Sequence, residues 1–189
     1  MKRTFLLIAV TAIMIVNASA QLKLNADTTR SKLEWLGEKV TGQHTGTIKL
    51  QSGWINMKDN KIISGEFNID MKSLKDSENN AHLEGHMKSD DFFGVEKFPI
   101  AKLVITGSTP FDKGNGTVDG NLTIKDSTNP IEFKAAVQKN GDGTWFYANI
   151  VIDRTKYNIR YGSGSFFENL GDKTIYDDFK LKVNLLVKD

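Results

Sequence analysis

The sequence predicts an all-β fold: an antiparallel sheet of about eight or nine strands, closed as a barrel or stacked as a sandwich, with a short helical insert. Three observations lead there. Apolar residues recur with period two along most of the chain, the spacing that gives a strand one buried and one wet face. Tight-turn signals separate the alternating runs. The regular exchange of helix and strand that marks a parallel sheet is missing.

Taken in order, Lys32 to Leu36, Thr45 to Leu50 and Trp54 to Met57 read as short strands. Ser64 to Met71 alternates, with Gly65, Phe67, Ile69 and Met71 against Ser64, Glu66, Asn68 and Asp70. Met71 to Asp76, and Ser77 or Glu78 to Lys88, are the helical candidates, running into a loop at Asp91-Phe92-Phe93-Gly94. After a strand at Ala101 to Thr106, Thr117 to Lys125 puts Val118, Gly120, Leu122 and Ile124 on one face. Thr128-Asn129-Pro130 reads as a turn, beyond which Ile131, Phe133, Ala135 and Val137 resume the alternation. Asn140-Gly141-Asp142-Gly143 is a hairpin signal ahead of the strand from Trp145 to Ile152. Gly162-Ser163-Gly164-Ser165 reads as a loop. The last run, Thr174 to Lys188, is the clearest, with Ile175, Phe179, Leu181, Val183, Leu185 and Val187 on one parity.

Met1 to Ala20 carries Lys2 and Arg3, an apolar run from Phe5 to Val16 and a small-residue Ala18-Ser19-Ala20 ending, the layout of a signal peptide cleaved after Ala20. The apolar run is too short for a membrane anchor, which needs about 20 residues. The expected location is the periplasm or the outside of the cell. The mature portion, residues 21–189, has the length of one domain. The chain has no cysteine, so disulfides, thiolate ligands, a cysteine nucleophile and an acyl anchor on cysteine are excluded. With 25 basic and 23 acidic side chains overall, loss of Lys2 and Arg3 leaves a neutral domain. No basic run suits it to nucleic acid.

Few residues suggest chemistry. His82 and His86, four apart on a helix, could hold one metal ion with a third ligand from elsewhere, the alternative reading being a metal-assisted enzyme that uses them with Glu84. The zinc-protease pattern fails, since Leu83 comes directly after the first histidine. No nucleophile elbow or phosphate loop occurs, and the sequence calls for no cofactor, no metal and no catalytic residue. Aromatic residues are plentiful, among them Trp35, Phe67, Phe92, Phe93, Phe133, Phe146 and Phe179. Periodicity alone favours their packing a core over their lining a ligand cavity.

Five segments resemble those of the YceI-like family. The most specific is His86-Met87-Lys88-Ser89-Asp90-Asp91-Phe92-Phe93, with Phe98-Pro99 just beyond it. The others are Ser31-Lys32-Leu33-Glu34-Trp35, Gly65 to Met71, Gly120 to Lys125, and Asp153-Arg154-Thr155-Lys156-Tyr157-Asn158-Ile159. Asn158 stands where the family commonly has glycine, and asparagine tolerates positive φ. The resemblance implies a roughly eight-stranded, lipocalin-like antiparallel barrel whose cavity takes a polyisoprenoid, a quinone or another long-chain amphiphilic lipid, for transport, storage or sequestration. It implies no enzyme, and it leaves a second copy of the chain open as a partner. Such a lipid chain gains about 0.8 kcal/mol for each methylene withdrawn from water, so an apolar tunnel suffices to bind it. The expected wall comprises Trp35, Phe67, Ile69, Phe92, Phe93, Leu122, Ile124, Phe133, Phe146, Phe179, Leu181 and Val183. His86 is expected to brace the Phe92-Phe93 loop. Arg154 or Arg160 is expected to meet the head group at the mouth.

Overall fold

Nine strands, one short helix and two 3-10 turns are set in a computed structural model that describes residues 21–188; the signal peptide expected over residues 1–20 lies outside them. The strands are β1 (Leu22–Ala26), β2 (Lys32–Lys39), β3 (Gly42–Lys58), β4 (Lys61–Asp76), β5 (Ile100–Ser108), β6 (Asn115–Ile124), β7 (Ser127–Asn140), β8 (Gly143–Asp153) and β9 (Ile175–Lys188). Helix α1 (Ala81–Lys88) joins β4 to β5.

The sheet is antiparallel and closes on itself. Around the wall the order runs β2, β9, β8, β7, β6, β5, β4, β3, and β3 returns to β2. The ninth strand adds no ninth position. β1 and β2 lie end to end between β3 and β9: β1 faces Trp54–Met57, and β2 faces Gly42–Ile48. Between them the chain turns at Asp27, whose carboxylate caps Thr29 and Arg30 and receives Lys188 at 2.8 Å. The result is an eight-position barrel, the size whose interior either fills with side chains or holds one small ligand.

Local chemistry explains the hairpins. Two-residue loops join β2 to β3, β3 to β4, β6 to β7 and β7 to β8. Asp59 and Asn60 both take positive φ, the geometry that matches strand twist in such turns. Asn158 has φ 63 and ψ 24, the left-handed conformation its side chain tolerates.

Three readings of the sequence need correction. Met71–Asp76 is the end of β4 and forms no helix. Pairing passes from Thr47 opposite Lys75 to Lys49 opposite Asp70, so four residues of β4 oppose one of β3. This bulge turns Met71 and Leu74 both inward at a spacing that imitates a helix. Ser73 holds it, accepting from the Lys49 N–H and donating to the Asp70 carbonyl. Thr45–Leu50 and Trp54–Met57 are parts of one strand, β3, interrupted by a register shift after Leu50. Thr128-Asn129-Pro130 is strand, and the chain turns earlier, at Lys125-Asp126.

Both ends of the barrel are covered. At one end Phe111, on the loop between β5 and β6, is buried against Phe146. At the other, α1 and the loop after it bring Met87, Phe92, Phe93 and Val95 over the opening. Asn80 caps α1 by accepting from the Leu83 N–H. Glu84, buried, ties the helix to β4: it receives Lys75 Nζ at 2.9 Å and the Asp76 N–H at 3.1 Å.

Candidate functional site: an apolar interior in two chambers

The period-two pattern delivers the inward residues of all eight wall positions to one interior, which divides into two chambers. The upper, of about 100 Å3, is lined among the described residues by apolar side chains alone. Phe67, Phe133, Phe146 and Val183 belong to it. So do Leu103, Ile131, Ala148 and Ile150, which the aromatic pattern in the sequence does not single out. The lower chamber, of about 120 Å3, is lined by Trp35, Phe92, Phe93, Ile124 and Phe179, with Met71 and Met87 from the bulge and the helix. Ile69, Leu122, Ile152 and Leu181 touch both, so the chambers meet at a shared waist. A dry apolar cavity of about 150 Å3 accepts benzene, which sets the scale: each chamber suits a group near one isoprene unit. A longer chain needs neighbouring side chains to shift.

Several inward residues are only half-buried although they sit inside a closed wall. Ile69, Leu103, Ile131, Phe133, Ala148, Leu181 and Val183 all keep accessible surface. In a filled core these positions would be covered. The interior here is incompletely packed.

The walls are fixed by close contacts. The Trp35 ring lies where a Cβ on Gly46 would be, and the Phe67 ring does the same at Gly53. Each pair faces its partner directly across neighbouring strands. Trp35 also donates its indole N–H to the Lys75 carbonyl at 3.1 Å, so its ring direction is set from both sides.

Arg154 has a structural task that its place in the sequence does not reveal. It is 2% exposed, and its guanidinium donates to the carbonyls of Ile159, Tyr161, Ile175 and Tyr176 at 2.8–3.1 Å. Asp177 lies 3.4 Å away and the Phe92 ring 5.7 Å. Burial pulls its pKa below the ordinary guanidinium value, with Asp177 and Asp153 opposing. Although Arg154 borders the lower chamber, its donors are already engaged, which corrects the expectation that it waits for a head group. Arg160 is exposed and lies 4.6 Å over the Phe166 ring, away from both chambers.

The two histidines have different surroundings. His82 is exposed, whereas His86 is wedged edge-on between Tyr161 at 4.3 Å and Phe92 at 5.8 Å. Its Nε2 is buried without a hydrogen-bond partner among the described residues. Its backbone carbonyl takes the Ser89 hydroxyl and N–H, and the Phe93 N–H goes to Met87. Glu84, between the histidines, is engaged by Lys75 and Asp76, which hold its carboxyl below the usual range. Among the described residues no three histidine, aspartate or glutamate side chains cluster to hold a metal ion.

Known proteins with this fold support the geometry. The structure of BcnA from Burkholderia cenocepacia superposes with a TM-score of 0.72 at 22% identity, covering 87% of this chain and 99% of that one. A polyisoprenoid binding domain from Saccharophagus degradans superposes with a TM-score of 0.64 at 15% identity, covering 87% and 97%. In sequence, a UPF0312 protein of Pseudomonas putida (strain W619) is 26% identical over 183 residues, 90% of this chain and 93% of its own. A UPF0312 protein of Shewanella denitrificans is 33% identical over 87 residues, 45% of this chain and 44% of that protein. The profile of the YceI-like domain matches residues 24–187, nearly the whole described barrel, and the chain therefore belongs to the YceI-like domain family.

Proposed function

We propose that the protein is an exported binding protein that holds a long-chain amphiphilic lipid, a polyisoprenoid or a quinone, inside the barrel for transport, storage or sequestration. It works in the periplasm or outside the cell, and it binds rather than catalyses. One observation carries this reading: a closed wall surrounds an upper chamber lined, among the described residues, without a single polar side chain, and its inward residues remain incompletely covered. Such a space offers a chain only withdrawal from water, about 25 cal/mol per Å2 of apolar surface. The likeness in fold to a polyisoprenoid binding domain supports the choice of ligand class.

Leu181 touches both chambers and tests the reading. Leu181→Trp should fill the waist. We expect the delipidated variant to keep its melting midpoint within a few degrees, and native mass spectrometry to find lipid on the wild type purified from its own host but none on the variant. A wild type that carries no lipid, together with a collapsed variant, would indicate a packed structural barrel.

A further inference from the structure

The barrel wall has a seam. β7 and β8 share ladder pairing only from Asn140 opposite Gly143 to Ala135 opposite Ala148. Beyond that point β7 continues to pair with β6, as far as Ser127, and β8 continues to pair with β9, as far as Asp153. Extending the register would set Phe133 opposite Ile150, Glu132 opposite Val151 and Ile131 opposite Ile152, yet these pairs are absent. Five residues of unpaired edge correspond to roughly 17 Å of wall. The seam ends where Asn129 Nδ2 donates to the Lys156 carbonyl, 2.9 Å away, in the 3-10 turn after β8.

The sequence treats this stretch as an edge. Pro130 cannot donate to a ladder and belongs on edges. Glu132 and Lys134 put charges on the outer face of the same lip, which discourages pairing with foreign strands. The inward side chains of that lip, Ile131 and Phe133, border the upper chamber and are only half-buried. In the ring order β4 stands four positions from β8, so the half-buried Ile69 of β4 lies across the interior from the seam.

From this we infer that the seam between β7 and β8 is the portal through which the lipid chain passes sideways into the upper chamber. The inference rests on the lipid-binding reading and gives it a route. Both barrel ends are covered by buried aromatic and aliphatic side chains, whereas parting the seam breaks no ladder hydrogen bond. Backbone N–H and C=O groups that face the seam without a ladder partner among the described residues suit the polar end of an amphiphile, since the described lining of the upper chamber has no polar side chain.

A chain without cysteine allows a clean test. The double variant Glu132→Cys, Val151→Cys is bridged across the seam with bis-maleimides of graded length, with closure verified by mass. A control, Asp119→Cys, Glu132→Cys, bridges the paired β6 and β7 on the other side of the same residue. Uptake of a dansyl-labelled prenol from phosphatidylcholine vesicles, and its release, are monitored by stopped-flow fluorescence. We expect the seam bridge to slow both at least tenfold with little change in final occupancy, and the control bridge to leave both rates unaltered. Wild-type rates in the seam-bridged protein would overturn the portal while leaving lipid binding intact. No uptake by the unmodified wild type would overturn both.

Discussion

Arg154 shows how a residue can look like a ligand group in sequence and turn out to organise the fold. Its neighbours Asp153 and Thr155 to Ile159 form a recognisable segment, but its role depends on carbonyls up to 22 residues away, at Tyr176, which no local pattern displays. Replacing it with methionine keeps the apolar stem and strips four carbonyls of their donor. We expect Arg154→Met to cost about 3–5 kcal/mol in urea unfolding, the usual result of leaving a buried polar network unpaired. Arg154→Lys should recover only part of that, because one ammonium cannot span four acceptors. A head-group role would instead lower lipid affinity with stability unchanged.

At the level of elements, the sequence is readable wherever alternation is strict. The final strand and the faces of Phe67, Ile69, Leu122 and Ile124 come directly from parity. Legibility fails where a bulge inserts residues, as at Met71–Leu74, and where proline marks an unpaired edge instead of a turn, as at Pro130. Both depend on which residues of the adjoining hairpin strand stay in register, a pairing that the local sequence does not display. β1 is missed for a related reason: it is short and completes a position that β2 leaves unfinished. The docking of α1 yields a test in acid. Lys75 and the Asp76 N–H lower the pKa of Glu84 in the folded protein, so its contribution to stability is fully present above the unfolded value, near pH 4.3, and is lost as pH falls through the folded one. Glu84→Gln should therefore lower the melting midpoint at neutral pH, and the curves of variant and wild type should converge in acid, as read by circular dichroism between about pH 7 and pH 3.

The whole molecule combines a firm frame with a loosely filled middle, and the contrast bears on what it can recognise. On the lipid-binding reading, an upper chamber whose described lining is apolar cannot distinguish one hydrocarbon from another by chemistry. Such a chamber would sort its guests by length and girth. In a series of straight-chain alcohols, each added methylene withdrawn from water should tighten binding about fourfold, the equivalent of about 0.8 kcal/mol. The increments should stop once the chain outgrows the two chambers, and fluorescence displacement would locate that break. A bulky guest of equal carbon count should bind worse than a slender one, whatever its functional group: on this reading the shared waist at Leu181 would act as a gauge, and any lipids carried by the protein should reflect what is thin and abundant nearby.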